Sequence, residues 1–143
     1  HANKLCVNAH SCPSSISQYA GIEALKGSKN DISIILSEFE KRRNFIYKEL
    51  NKLKNIKCFK PGGAFYAFPN ISMTKLSGEN FAKKALYEKG VALVPGTSFG
   101  EEAKDYVRIS YANSIENIKT ALNKISDIWI LKDEKNRSCY KTI

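Results

Sequence analysis

The sequence predicts an α/β protein in which helices pack on one face of a small mixed or antiparallel sheet. In several segments apolar residues recur every three or four positions, as in amphipathic helices, and short runs of β-type composition lie between those segments. With 143 residues, of which 43% are hydrophobic and 26% charged, the chain can bury a single core. Helices that cover one face of a sheet would bury all the apolar stripes together.

Two helices are predicted in the first part of the chain. The first covers residues 14–25, after Pro13, and Gly27 is suited to end it. The second is long, at about residues 31–54, and its basic residues fall mostly off its apolar stripe, so we expect them to form a solvated face. The stripe consists of Ile32, Ile35, Leu36, Phe39, Ile46, Leu50 and Leu53.

Two more helices are predicted in the second half of the chain. One covers residues 77–89 and ends at Gly90. The last follows Asn113, which together with Glu116 resembles a capping box, and its apolar period continues to about position 131. The tail, residues 132–143, has no periodicity, and we expect it to be disordered.

Four short strands are predicted between the helices. Residues 56–59 and 64–68 flank the turn Pro61-Gly62-Gly63 and form a candidate hairpin. Residues 91–94 and 106–112 have the composition of two further strands. The predicted sheet is therefore small, and it contains no internal repeat.

Composition and charge exclude several classes of function. The four cysteines are scattered and the chain has two histidines, so neither a metal site nor a disulfide framework is expected, and a reducing, cytoplasmic location is the default. No apolar run is long enough to span a membrane. The net charge of +9 is spread along helices that also carry acidic residues, which does not favour binding to nucleic acid.

Arg108 interrupts the apolar run at residues 106–112. Strand alternation directs Val107 and Ile109 to one face, and Arg108 and Ser110 to the other. Two interpretations are open from the residues alone: an arginine on the solvated face of an edge strand, or a guanidinium that binds a carboxylate or phosphate in a cleft.

Three ordered motifs bear on this choice: PGGAFYAFPNI at residues 61–71, GVALVPGTSFG at 90–100 and VRISYANSIENIKTAL at 107–122. Together with KLCVNAHSCPSSISQYAGIEALKG at 4–27, they closely resemble the C-terminal portion of class I pyridoxal-phosphate-dependent aminotransferases of the aspartate/aromatic type. The resemblance covers about residues 3–131. It implies an enzyme that transfers an amino group from an amino acid, aspartate or aromatic, to a 2-oxo acid.

The resemblance also implies roles for particular residues. Arg108 matches the family arginine that binds the α-carboxylate of the substrate. Phe65 matches an aromatic position that walls the substrate pocket beside that arginine, although a core aromatic on a strand is the alternative interpretation. The turn at Pro95-Gly96 matches a loop near the mouth of the site.

The family's lysine motif for binding pyridoxal 5'-phosphate has no match in this sequence. We therefore expect residues 1–30 to be the end of a large domain and residues 31–131 to be the small C-terminal domain of an aminotransferase. On this interpretation the partners are a missing N-terminal cofactor-binding portion and a second subunit in a homodimer, and the chain alone is inactive and binds no cofactor. The alternative is a stand-alone basic α/β binding module that has this scaffold and no catalysis.

Overall fold

The computed structural model describes residues 1–126 and 128. The chain divides into two compact units, His1–Leu36 and a second unit that begins at Ser37. This division falls inside the long helix, a few residues after the predicted domain boundary at position 30. The assignment of residues 1–30 and 31–131 to a large and a small domain stays a prediction, and the tail at 132–143 lies outside the described residues.

The first unit is helical. It contains α1 (Ala2–His10), α2 (Ser15–Lys26) and the start of α3 (Asn30–Lys52). The sequence predicted α2 and α3 but not α1. Within α1, the side-chain amide nitrogen of Asn8 donates to the carbonyl oxygen of Lys4 at 2.8 Å. Neither α1 nor α2 buries any residue.

The second unit contains an antiparallel sheet of three short strands. The strands are β1 (Tyr66–Ala67), β2 (Val94–Pro95) and β3 (Val107–Ser110), in the spatial order β1-β3-β2. Tyr66 pairs with Ser110 in one ladder, and Val94 pairs with Arg108 in the other. The predicted class, helices with a small antiparallel sheet, is therefore confirmed.

Two capped helices complete the second unit. α4 (Gly78–Lys89) begins after Ser77, whose hydroxyl accepts from the N–H of Asn80, and it ends at Gly90 in the left-handed conformation. α5 (Ile115–Ile125) begins after Ser114, whose hydroxyl accepts from the N–H of Asn117. The predicted cap at Asn113 was therefore one residue early. The predicted capping box of Asn113 and Glu116 does not form, because the N-cap residue is Ser114.

The core of the second unit lies between the helices and one face of the sheet. β3 and the residue after it contribute Val107, Ile109 and Tyr111, as the alternation predicted. From α3 only the C-terminal half is buried, so the first part of its predicted stripe, Ile32 to Leu36, remains exposed. The core from the helices consists of Ile46, Leu50, Phe81, Ala85, Ile118, Leu122 and Ile125.

The predicted hairpin of residues 56–59 and 64–68 is wrong. Within the part of the chain that the structure describes, residues 56–59 make a single bridge, between Lys57 and Asn70. The side chain of Asn51 forms hydrogen bonds with both backbone groups of Cys58. Its oxygen accepts from the N–H at 3.1 Å, and its nitrogen donates to the carbonyl oxygen at 3.0 Å. Asn51 of α3 therefore provides the backbone hydrogen bonds that a partner strand would give Cys58. β1 pairs with β3 instead.

Within the described residues, no helix combines the length and the apolar character that a membrane crossing requires. The same residues contain no group of three or more side chains that could hold a metal ion. Cys6 and Cys12 are exposed free thiols. Cys58 is buried, and burial raises the pKa of its thiol.

Gly96 allows the turn after β2 to approach the chain around Tyr106. Its N–H donates to the carbonyl oxygen of Tyr106 at 2.8 Å. A Cβ at this position would overlap the carbonyl oxygen of Ala103 and would also stand 2.8 Å from the carbonyl oxygen of Tyr106. Both neighbours are backbone atoms, so they cannot move aside as a flexible side chain would.

We expect Gly96→Ala to lower the free energy of unfolding by about 1–3 kcal/mol, the usual effect of forcing extra volume into a packed site. The matched control is Gly62→Ala, because nothing lies within 4 Å of a Cβ built at Gly62. The control should change stability by less than about 0.5 kcal/mol. Urea unfolding of both variants checks this prediction, and equal effects of the two substitutions would contradict the close packing at Gly96.

Candidate functional site

Arg108 lies at the centre of the sheet with two aromatic rings on its guanidinium. Its Cζ is 4.2 Å from the ring centroid of Tyr66 and 4.7 Å from that of Phe99. These distances are within the range of cation–π attraction. Since β3 pairs with a strand on each side, the interpretation of Arg108 as an edge-strand residue is wrong.

Strand register explains why Tyr66 reaches the arginine. Tyr66 stands directly opposite Ser110, and residues paired across an antiparallel ladder point to the same face. Ser110 and Arg108 are two positions apart on β3, so they share that face as well. Tyr66 is therefore a diagonal neighbour of Arg108, at a separation that aromatic and long side chains span.

Phe99 reaches the arginine from the turn that follows β2. Val94 pairs with Arg108, and the chain then enters a 3₁₀ helix at Gly96–Phe99. The ring of Phe99 meets the ring of Phe68 edge to face, with centroids 5.9 Å apart. Phe68 in turn stacks on Tyr106 at 5.2 Å. We call this set, Arg108 with Tyr66, Phe68, Phe99 and Tyr106, the Arg108 cluster.

The charge of Arg108 is not neutralised by a neighbouring carboxylate. Among residues 1–126 and 128, the ion pairs along α3 involve other side chains, and none includes Arg108. The residue is half-buried. A guanidinium that is fixed by rings and has free N–H groups can bind a planar anion such as a carboxylate with two hydrogen bonds.

Phe65, the predicted pocket residue, lies next to the Arg108 cluster. Its ring centroid is 4.4 Å from that of Tyr66 and 6.2 Å from that of Phe39 on α3. Its side chain remains 41% exposed. Phe65 therefore connects the cluster to α3, and its role in binding substrate stays a prediction.

Sequence reasoning missed both rings that touch the guanidinium. The contact of Tyr66 with Arg108 could be predicted only with the register of the strands known. A shift of one residue exchanges Phe65 and Tyr66 between the two faces of the sheet. Phe99 belongs to a turn, and a turn's sequence does not specify where its side chains reach in the folded chain. The Pro95-Gly96 turn itself was predicted, and it delivers Phe99 to the site.

Tyr111 connects the core to the turn before β1. Its hydroxyl donates to the carbonyl oxygen of Ala64 at 2.9 Å. Burial raises the pKa of this hydroxyl, and the nearby positive charge of Arg43 opposes the shift. The hydroxyl is therefore a protonated donor at neutral pH.

A small α/β domain with an arginine on its central strand has the means to bind an anion, and comparison with known proteins gives its family. The family model for aminotransferase class I and II matches residues 2–125. The aspartate aminotransferase of Pyrococcus horikoshii is 43% identical over 76% of this chain. The aromatic-amino-acid aminotransferase 2 of Thermococcus litoralis is 37% identical over 87% of this chain. The chain therefore belongs to the class I and II aminotransferase family, as the sequence motifs predicted.

Solved structures agree with this assignment. The aromatic aminotransferase from Pyrococcus horikoshii matches 87% of this chain with a TM-score of 0.82 and 35% identity. The match covers 34% of that protein. For the two curated relatives the chain spans 28% and 32% of their length. This chain therefore corresponds to about a third of the aminotransferases that it resembles.

We expect Phe99→Leu to lower the free energy of unfolding by about 1–2 kcal/mol, because it removes one edge-to-face ring pair and one cation–π contact. The control is Phe59→Leu, at a ring that is 89% exposed. The side-chain N–H resonance of Arg108 should also move when the ring current of Phe99 is lost. NMR spectra and urea unfolding check both effects, and an unmoved Arg108 resonance would contradict the stacked geometry.

Proposed function

We propose that this chain supplies the substrate-carboxylate site of a pyridoxal-phosphate-dependent aminotransferase. The observation that carries the proposal is Arg108, a half-buried guanidinium stacked on two rings and free of any carboxylate partner among the described residues. In a family that transfers amino groups, a fixed and unpaired arginine is suited to bind the carboxylate of an amino acid or a 2-oxo acid.

The rings restrict how a carboxylate can approach. Tyr66 and Phe99 occupy space close to the guanidinium, so a carboxylate must approach through the N–H groups that the rings leave open. Two parallel N–H donors on one edge bind both carboxylate oxygens and fix the orientation of the bound acid. Fixing the carboxylate in this way positions the Cα of the substrate for reaction at a cofactor outside this chain.

The relatives indicate the class of amino acid. Those cited above are named for aspartate and for aromatic amino acids. We propose transfer between such an amino acid and a 2-oxo acid. The exposed rings of Phe65 and Phe68 at the cluster are compatible with an aromatic side chain, and Phe65 would line the pocket beside Arg108.

We further propose that another part of the protein holds pyridoxal 5'-phosphate. When bound, this cofactor withdraws electrons from the substrate's Cα, and a lysine amine must tether it. The described surroundings of Arg108 do not fit that task, because they consist of rings and one guanidinium. An N-terminal cofactor-binding portion would supply the lysine, and a second subunit would complete a homodimer, as the family resemblance implies.

The exposed apolar side chains of residues 1–36 support the proposal that the protein has a further portion. Leu25 is 89% exposed and Ile16 is 82% exposed, on a helix that buries none of its own residues. Large apolar side chains that are exposed on a helix are candidates for contact with another part of the protein. A stand-alone binding module would instead present polar residues there, so this surface favours the interpretation that the chain is one part of a larger enzyme. We propose that this enzyme is cytoplasmic.

Substitution of Arg108 tests the carboxylate site. In the complete enzyme we expect Arg108→Ala to weaken binding of the amino-acid substrate roughly 10- to 100-fold, because it removes charge-assisted hydrogen bonds, while the cofactor's absorbance spectrum stays unchanged. Arg108→Lys should recover only part of this loss, since an ammonium cannot form the bidentate pair. Arg42→Lys is the matched control, at an arginine that pairs with Glu38. Unchanged substrate affinity in Arg108→Ala would contradict the proposal.

Chemical trapping tests where the cofactor binds. Residues 1–143, incubated with pyridoxal 5'-phosphate and reduced with borohydride, should show scattered labelling of exposed lysines in peptide mass mapping, and no transamination. The complete enzyme should be labelled at one lysine outside this sequence. Stoichiometric labelling of a single lysine within residues 1–143 would contradict the placement of the cofactor in another portion.

A further inference from the structure

Tyr111 binds two successive carbonyl groups of a distant turn. Its side chain is 1% exposed, and its hydroxyl donates to the carbonyl oxygen of Ala64, 47 residues earlier, at 2.9 Å. Its backbone N–H donates to the carbonyl oxygen of Phe65, also at 2.9 Å. One residue of the core therefore fixes the chain at the entrance to β1.

The backbone of this turn needs such support. Ala64 has a φ of 56°, in the left-handed region that a residue with a Cβ seldom adopts. The two preceding glycines provide no packing, because nothing lies within 4 Å of a Cβ built at Gly62 or Gly63. β1 itself has only two residues, so few ladder hydrogen bonds hold its register.

We propose that Tyr111 is a positioning residue for the Arg108 site: its hydroxyl holds Ala64 in the left-handed conformation and thereby aligns Tyr66 with the guanidinium. Tyr66 follows Ala64 by two residues, and its ring is the nearer of the two on Arg108. If Ala64 left the left-handed conformation, the ring of Tyr66 would shift, and the guanidinium of Arg108 would lose its contact with that ring.

Tyr111 acts through the turn and does not contact the ligand of Arg108. Its side chain packs on the core face of the sheet, with its ring centroid 6.5 Å from that of Phe39, whereas Arg108 points to the opposite face. The inference rests on the proposed function, because the quantity that Tyr111 changes is the affinity of the Arg108 site for a carboxylate.

The test is Tyr111→Phe in the complete enzyme, which removes the hydroxyl and keeps the ring. The probes are the enzyme's own substrate, aspartate or phenylalanine, and succinate as a dicarboxylate that has no amino group to transfer. We expect KM and the succinate inhibition constant to rise roughly 3- to 10-fold, the range for one lost neutral hydrogen bond, with a smaller change in kcat. Tyr87→Phe, at a tyrosine that is 83% exposed, is the control and should change neither constant.

Substitutions at Ala64 separate positioning from a general loss of stability. Glycine adopts the left-handed conformation readily, so in an Ala64→Gly background the loss of the Tyr111 hydroxyl should raise KM by less than in the natural background. Ala64→Val, with Tyr111 and the core untouched, should raise KM because a β-branched residue resists that conformation. This variant also keeps the test decisive if Tyr111→Phe does not fold, since Ala64 is exposed.

The outcomes separate this inference from the proposed function. If Arg108→Ala weakens carboxylate binding while Tyr111→Phe or Ala64→Val leaves KM unchanged, the positioning role is wrong and the proposed function stands. A lower melting temperature of Tyr111→Phe with unchanged KM would likewise overturn it, because the hydroxyl would then serve stability alone. If Arg108→Ala leaves carboxylate binding unchanged, the proposed function itself fails.

Discussion

The candidate site depends on one interaction, the contact of the Arg108 guanidinium with the rings of Tyr66 and Phe99. The arginine comes from the central strand, and the rings come from β1 on one side and from the turn after β2 on the other. A guanidinium is more weakly hydrated than an ammonium group, and it can stack on rings while its edges remain free to donate. Stacking therefore fixes the charge in place without occupying the hydrogen bonds that a ligand would use.

The two faces of β3 connect this site to the core. Val107 and Ile109 are buried among helix residues, so the position of β3 is set by packing against α3, α4 and α5. Arg108, between them in sequence, necessarily points to the other face. A substitution in the core that shifts β3 would move the guanidinium as well. Site and core thus share one four-residue strand, which leaves little freedom to change either one alone.

The sequence predicted the features that local chemistry decides. Gly90 ends α4 and Gly27 follows α2, as predicted. A helix end depends on glycine and on the end of the apolar period, and both signals lie within a few residues of it. The alternation around Arg108 was likewise correct, since it follows from strand geometry alone. The features that were missed are non-local. Asn51 replaced the expected hairpin partner of Cys58, and Tyr66 reaches the arginine because contacts far apart in sequence set the register of β1 against β3.

The first unit presents apolar side chains that none of its own residues cover, and the chain spans only about a third of the aminotransferases that it resembles. The central claim, that Arg108 is a preformed carboxylate site, is tested most directly by a crystal structure of the complete enzyme with succinate bound. The account predicts both oxygens of one carboxylate within hydrogen-bond distance of the Arg108 guanidinium, with Tyr66 and Phe99 still stacked on it. An Arg108 that instead pairs with an aspartate or glutamate of the enzyme, with succinate bound elsewhere, would contradict it.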